Sequence, residues 1–131
     1  MGMPLRFLIA DDNRDAAETL GALLSLSSHE VRVVSDGSEA VEMADDWGPD
    51  VVVLDLQMPK LSGFVAAEMI RRQDHVLVLA ALTGLSGETV QRQVMAAGFD
   101  LFFSKGVAFS DLADALIHLA EERMGGPRMR D

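Results

Sequence analysis

Cysteine is missing from this 131-residue sequence, which excludes disulfides, thiolate metal sites and thiol catalysis. Basic residues are also scarce, because 11 Lys and Arg stand against 21 Asp and Glu and give a formal net charge of −10. That charge disfavours nucleic acid and anionic membranes as partners, since both are bound through cationic surfaces. No apolar run is long enough to span a bilayer, the longest extending only from Val76 to Leu82.

The length and composition are those of one globular domain. Hydrophobic residues make up 49% of the chain and charged residues 24%, which is typical of a folded protein and not of a disordered one. We assign residues 1–124 to the domain and expect residues 125–131, which begin Gly-Gly-Pro, to be a flexible tail. With no export signal visible, we expect a cytoplasmic location.

Apolar segments alternate with amphipathic segments along the whole chain. We predict strands at residues 5–10, 30–34, 51–54, 76–82 and 100–104. Helical periodicity follows each strand, with Asp36 and Ser86 as predicted N-caps and Gly48 and Gly98 as predicted ends of the second and fourth helices. Five strands alternating with five helices predict an α/β fold, a doubly wound five-stranded parallel sheet with helices on both faces.

Polar side chains follow four of the five predicted strands. They are Asp11 and Asp12 after the first strand, Asp55 after the third, Thr83 after the fourth and Lys105 after the fifth. The carboxyl ends of parallel strands meet at one edge, where such sheets bind ligands. If the first and third strands are neighbours, the three aspartates share one crevice and need a cation, because carboxylates about 4 Å apart repel by roughly 4 kcal/mol per pair at an effective dielectric of 20. Oxygen ligands alone favour Mg²⁺.

The same edge carries the groups that phosphoryl transfer requires. Asp55 is the predicted nucleophile and would form an aspartyl phosphate. The Thr83 hydroxyl and the Lys105 ammonium would surround the oxygens of the incoming phosphoryl group and act as its catalytic partners. Each of these residues also has an ordinary structural interpretation, as an N-cap, a strand residue or a solvated charge. Their joint placement on one edge favours the functional interpretation.

These motifs resemble the response-regulator receiver domain of bacterial two-component signalling. The resemblance runs from about residue 5 to residue 119. It is carried by Asp11-Asp12-Asn13, by Leu54-Asp55-Leu56-Gln57-Met58-Pro59 with Gly63, by Leu82-Thr83-Gly84, by Ala97-Gly98-Phe99-Asp100 and by Lys105. It implies a flavodoxin-like fold with strand order 2-1-3-4-5.

The resemblance also implies roles for individual residues. Asp55 would accept a phosphoryl group from a histidine kinase or a phosphotransfer protein. Asp12, Asp55 and the backbone carbonyl of Gln57 would bind Mg²⁺, and Asp11 would hold a metal-bound water. Phosphorylation would then act through a switch pair, Thr83 and Phe102, and be read by a downstream protein on the face formed by helix 4, strand 5 and helix 5.

One position departs from the family pattern, because Gly106 follows Lys105 where the family usually has proline. A cis bond before a non-proline residue costs about 2.5–4 kcal/mol, so we predict a trans bond between Lys105 and Gly106. Since glycine is conformationally free, we expect the loop of residues 106–110 to be more mobile and the Lys105 ammonium less firmly aimed at the site.

Several functional alternatives stay open. A receiver of this length is either a complete single-domain regulator or a part of a larger protein such as a hybrid kinase. It would be a signalling phosphoprotein and not an enzyme, since it would catalyse only its own phosphorylation and dephosphorylation. The alternatives from other classes are a pseudo-receiver that acts without phosphorylation and a Mg²⁺-dependent phosphohydrolase with Asp55 as its nucleophile.

Overall fold

A computed structural model describes residues 4–124, so the predicted tail lies outside the described residues. Strands and helices alternate along the chain as predicted. The strands are β1 (Arg6–Ala10), β2 (Glu30–Val34), β3 (Val51–Asp55), β4 (Val78–Thr83) and β5 (Leu101–Ser104). The helices are α1 (Arg14–Leu26), α2 (Gly37–Trp47), α3 (Gly63–Gln73), α4 (Glu88–Ala96) and α5 (Phe109–Met124).

The five strands form one parallel sheet in the order β2-β1-β3-β4-β5. This arrangement confirms the predicted fold class and the strand order that the resemblance implied. Leu54 pairs with Ala10 on one side and with Ala81 on the other, which brings the ends of β1, β3 and β4 level. The residues that follow these strands therefore emerge together at one edge of the sheet.

The sheet separates two hydrophobic cores. β3 and β4 are buried along their whole length, so their sequences are apolar up to the last residue and do not alternate between apolar and polar residues. One core lies under α2, α3 and α4, and the other lies under α1 and α5. No helix within residues 4–124 is both long enough and apolar enough to cross a membrane.

Two predicted boundaries on either side of β4 were wrong. The strand begins at Val78 and not at Val76, because the Asp74 carboxylate accepts hydrogen bonds from the amides of Val76 and Leu77 and turns the chain there. Ser86 does not cap α4. Gly87 precedes the helix with φ +109°, a conformation that suits glycine, and no side chain caps that end.

An ion-pair network closes the opposite edge of the sheet, away from the predicted site. Asp100, just before β5, accepts hydrogen bonds from Arg71 of α3, from Arg123 of α5 and from the Leu79 amide of β4. Burial raises the pKa of the Asp100 carboxyl, but the hydrogen bonds from Arg123 and Leu79 and the Arg71 charge outweigh burial and hold it below its usual value. Asp100 therefore joins two helices to the sheet as a carboxylate.

Candidate functional site

Asp55 ends β3 at the centre of the sheet, and only 1% of its surface is exposed. Both of its carboxylate oxygens have partners. The Gln57 amide donates to Oδ1 at 3.0 Å, and the Lys105 Nζ donates to Oδ2 at 2.9 Å. A buried carboxylate without such partners would cost several kcal/mol, so these two hydrogen bonds offset part of the cost of burying Asp55.

The segment after Asp55, residues 56–62, is called the Asp55 loop below. It returns to its starting point, because the Gly63 amide donates to the Leu56 carbonyl at 3.2 Å. A Cβ on Gly63 would overlap the Asp55 carbonyl oxygen and the Leu56 Cα, so only glycine permits this closure. The Ser62 side chain accepts a hydrogen bond from the Val65 amide and starts α3 at once. The loop is therefore fixed at both ends.

Asp11 and Asp12 follow β1 and meet Asp55 at the same edge. One carboxylate oxygen from each of the three residues lies within 4.8 Å of the others. Asp11 is buried, and its Oδ1 accepts a hydrogen bond from the Asn13 amide at 2.9 Å, whereas Asp12 is exposed. The Asn13 side chain also caps α1 by accepting from the Ala16 amide. The start of α1 thus orients this half of the cluster.

The cluster carries more negative charge than its neighbours balance. Burial raises the pKa of the Asp11 carboxyl to about 6, against the Asn13 hydrogen bond and with a contribution from the Asp55 charge. For the Lys105 ammonium, burial favours the neutral form, but the hydrogen bond and charge of Asp55 outweigh it and raise its pKa. One ammonium therefore faces three carboxylates, which is the electrostatic setting of a cation site.

The donor set fits Mg²⁺. Within residues 4–124 the group consists of three carboxylates with no nitrogen or sulfur ligand, and a hard divalent ion prefers oxygen donors. Because Asp12 is exposed, an ion held here could keep several waters, as Mg²⁺ does in proteins. Gln57 is brought to the cluster through its amide. The use of its carbonyl as a ligand stays a prediction.

Thr83 and Lys105 reach the same edge from β4 and β5. Thr83 is fully buried, and its Oγ1 accepts a hydrogen bond from the Leu85 amide at 2.9 Å. The Thr83 carbonyl accepts from the Lys105 amide at 2.9 Å, which continues the pairing of the two strands. The structure therefore brings the hydroxyl and the ammonium to the edge that carries Asp55.

The expectations about Lys105 had different outcomes, and the greater mobility of residues 106–110 stays a prediction. The bond from Lys105 to Gly106 is trans, as predicted. The ammonium, however, is aimed at the site, since its Nζ lies 2.9 Å from Asp55 Oδ2. The three carboxylates attract the ammonium whatever residue follows it. The backbone bonds from Lys105 to Thr83 and from Val107 to Ser104 hold the turn without a proline ring.

Phe102 lies on the face of β5 that is covered by α4. Its half-buried ring packs against the core under α2, α3 and α4, whereas Phe103 points to the other core. Thr83 pairs with Ser104, two residues further along β5. This position is compatible with the predicted pairing of Thr83 and Phe102 as a switch, and their coupling stays a prediction.

The sequence reasoning missed the groups that support the site. Asn13 was noted as part of a motif, but the hydrogen bond that its backbone amide donates to Asp11 was not foreseen. The ion pair between Lys60 and Asp36, with Nζ and Oδ2 3.5 Å apart, was not foreseen either. Lys60 also has φ +66°, and nothing in its residue type signals that conformation.

Comparison with known proteins agrees with this geometry. Residues 7–117 match the family model described as the response regulator receiver domain. Response regulator MprA of Mycobacterium sp. strain KMS is 33% identical over 110 residues, which are 84% of this chain and 48% of the relative. Its counterpart in Mycobacterium tuberculosis strain H37Ra is 32% identical over the same share of each chain. The chain thus spans about half the length of these curated relatives.

Solved structures share the fold. The receiver domain of Francisella response regulator 1452 has a TM-score of 0.85 at 22% identity, with 92% of this chain and 99% of that chain covered. The N-terminal domain of a Wolinella succinogenes protein, WS1339, has a TM-score of 0.83 at 26% identity, covering 92% and 98%. The first of these likenesses concerns the fold alone.

Proposed function

The chain belongs to the response regulator receiver domain family, and we propose that it is a phosphoacceptor switch in which Asp55 receives the phosphoryl group with the help of Mg²⁺. Receiver domains are signalling modules and not enzymes that turn over a separate substrate. In this proposal the chain catalyses only its own phosphorylation and dephosphorylation. The donor is a histidine kinase or a phosphotransfer protein, and the expected location is the cytoplasm.

One observation carries the proposal, namely the grouping of two further carboxylates, those of Asp11 and Asp12, beside a buried Asp55 that is paired with Lys105. Asp11 and Asp12 come from β1, Asp55 from β3 and Lys105 from β5, so the residues converge only in the folded sheet. Two acids beside a buried acid are costly without a cation, and the pKa of Asp11 is raised by burial first and by the Asp55 charge in addition. A cation site built at such cost supports a function that uses the cation.

Each residue of the site has its own role in the proposed phosphoryl transfer. Asp55 would attack the phosphorus atom of the donor, and the bond between phosphorus and the donor atom would break. The Gln57 amide holds one Asp55 oxygen in place, while the Lys105 side chain, 39% exposed and flexible, would pass from Asp55 to a phosphoryl oxygen. Bound Mg²⁺ would supply positive charge to the carboxylates and to the phosphoryl oxygens. The Thr83 hydroxyl would donate to another phosphoryl oxygen.

The proposed output is a change on the face formed by α4, β5 and α5. Val94 is the one fully buried residue of α4, and no side chain caps its N-terminus, so few contacts hold this helix. Phe102 of β5 packs against the same core as Val90 of α4. A phosphoryl group that draws the Thr83 hydroxyl inward would favour a second packing of Phe102 under α4, and a downstream protein would bind that state.

Incubation with a small phosphodonor and Mg²⁺ tests the proposal. Intact-mass spectrometry should find one added phosphoryl group, and none in Asp55→Asn, which keeps the shape of the side chain but removes the nucleophile. Chelation of the metal should also prevent the addition. An unchanged mass with a donor that phosphorylates another receiver in parallel would favour a pseudo-receiver that acts without phosphorylation.

A further inference from the structure

The start of α2 touches the Asp55 loop, and we propose that Asp36 and Gly37 are positioning residues that hold this loop, and through it Gln57 and Asp55, in the geometry that binds the metal ion. The proposal rests on the proposed function, because the loop position matters only if Asp55 and Gln57 work in that site. Neither Asp36 nor Gly37 is a member of the carboxylate cluster.

The first contact is between two backbones. A Cβ on Gly37 would overlap the Leu61 carbonyl oxygen near the C-terminal end of the Asp55 loop. Since Gly37 is the first residue of α2 and is not in the left-handed conformation, its backbone could be adopted by alanine. The need for glycine is therefore steric, and it reflects the close approach of the loop. Because both partners are backbone, neither can rotate out of the way.

The second contact is an ion pair at the tip of the loop. Asp36 is buried and caps α2, its Oδ1 accepting from the Glu39 amide at 2.9 Å. Its other oxygen, Oδ2, lies 3.5 Å from Nζ of Lys60. Lys60 has φ +66°, which is unfavourable for a residue with a side chain. The Asp36 charge thus favours a loop conformation that Lys60 does not prefer by itself.

These contacts act on the site through the loop backbone. The loop is closed at its base by the hydrogen bond from Gly63 to Leu56, and Gly37 contacts it at Leu61. Gln57 lies between those two points, and its amide orients Asp55 Oδ1. A displacement at Leu61 would therefore be passed to the Gln57 amide and to the Asp55 carboxylate. Groups that orient metal ligands in this way commonly change affinity without touching the ion.

Gly37→Ala is the main test, with Gly48→Ala as the matched control. Gly48 has φ +68° and open space around its missing Cβ, so alanine there costs stability without reaching the loop. Calorimetric titration with Mg²⁺ should give a dissociation constant about tenfold higher for Gly37→Ala, at the lower end of the range for such supporting groups. Gly48→Ala should bind like the unmodified protein, although it is less stable. In the metal-free protein, the Gln57 amide should exchange faster only in Gly37→Ala.

Lys60→Gly provides a second variant if Gly37→Ala does not fold. Glycine suits the positive φ but removes the ion pair, so thermal stability should stay equal or rise while Mg²⁺ affinity falls about two- to fivefold, the range for an exposed pair. Lys60→Arg, which keeps the charge, should restore binding. A residue with only a structural role would not separate stability from affinity in this way.

The outcomes distinguish the two proposals. If the unmodified protein binds Mg²⁺ and accepts a phosphoryl group, but Gly37→Ala and Lys60→Gly bind the ion equally well, the positioning role is wrong and the proposed function stands. If the unmodified protein does not bind Mg²⁺ at all, the proposed function and the inference built on it both fail.

Discussion

Replacing Asp11 with asparagine should stabilise the metal-free protein at neutral pH. The asparagine side chain would keep an oxygen for the Asn13 amide, which Asp11 Oδ1 accepts at 2.9 Å, and would remove one of three crowded negative charges. Ionising a carboxyl whose pKa is about 6 in the folded protein and 3.8 otherwise costs about 2–3 kcal/mol at pH 7. The unfolded chain does not pay this cost.

The effect should depend on pH with a definite sign. Between about pH 4 and pH 6 the folded state holds a proton on Asp11 that the unfolded state has released. The contribution of Asp11 to stability is therefore lost as the pH rises through this window, and the cost is complete above about pH 7. The advantage of Asp11→Asn should grow across the same window and then become constant.

Urea unfolding with a chelator present, followed at several pH values, measures this difference. At pH 7 the midpoint for Asp11→Asn should rise by about 1–1.5 M, taking a slope near 2 kcal/mol per molar urea. Asp12→Asn removes the same charge from an exposed side chain and should give a much smaller change. Mg²⁺ should stabilise the unmodified protein more than Asp11→Asn. Equal midpoints for the two variants, or a gain independent of pH, would refute the reasoning.

Three further predictions concern the charges of the fold and the site. Lys105→Met should bind Mg²⁺ several-fold more tightly, because the ammonium and the ion compete for the same carboxylates, but it should accept the phosphoryl group at least about tenfold more slowly. Calorimetric titration measures the affinity, and a time course of intact mass measures the rate. Weaker metal binding by the variant would count against the competition. Asp100→Ala should lose about 2–4 kcal/mol in urea unfolding, because it leaves the guanidinium groups of Arg71 and Arg123 without their carboxylate, and a loss below about 1 kcal/mol would mean that the network contributes little. Burial lowers the pKa of His29, whose Nδ1 accepts from the Leu5 amide. The neutral His29 ring should therefore stabilise the fold less as the pH falls below 6.5. In that range the free energy of unfolding should depend less steeply on pH in His29→Gln than in the unmodified protein. The same pH dependence in both proteins would exclude a contribution from His29.

The sheet could be predicted from the sequence because its buried strands are marked by short, β-branched apolar runs between helical segments. Val51 to Leu54 form an apolar run that is typical of a strand covered on both faces. The polar residue after each run then marks the carboxyl edge, which is how Asp55 and Thr83 were found. Residue type and chain order carried this information, and no three-dimensional contact was needed.

The supporting contacts could not be predicted in the same way. The ion pair between Lys60 and Asp36 joins two loops. It depends on a positive φ at Lys60, which the residue type does not indicate. The pairing of Lys105 with Asp55 depends on the charge of the cluster and not on the residue that follows the lysine, so the local sequence does not reveal it. Rules based on local sequence do not describe such interactions between residues that are far apart in the chain.

Identifying the residue that carries the phosphoryl group is the most direct test of the central claim. After incubation with a small phosphodonor and Mg²⁺, borohydride reduction converts an aspartyl phosphate into a stable product that peptide mass spectrometry can locate. The account predicts the reduced residue at position 55 alone, and its absence when the metal is chelated. Reduction at Asp11, Asp12 or any other residue, or at none with a donor that labels a control receiver, would contradict it.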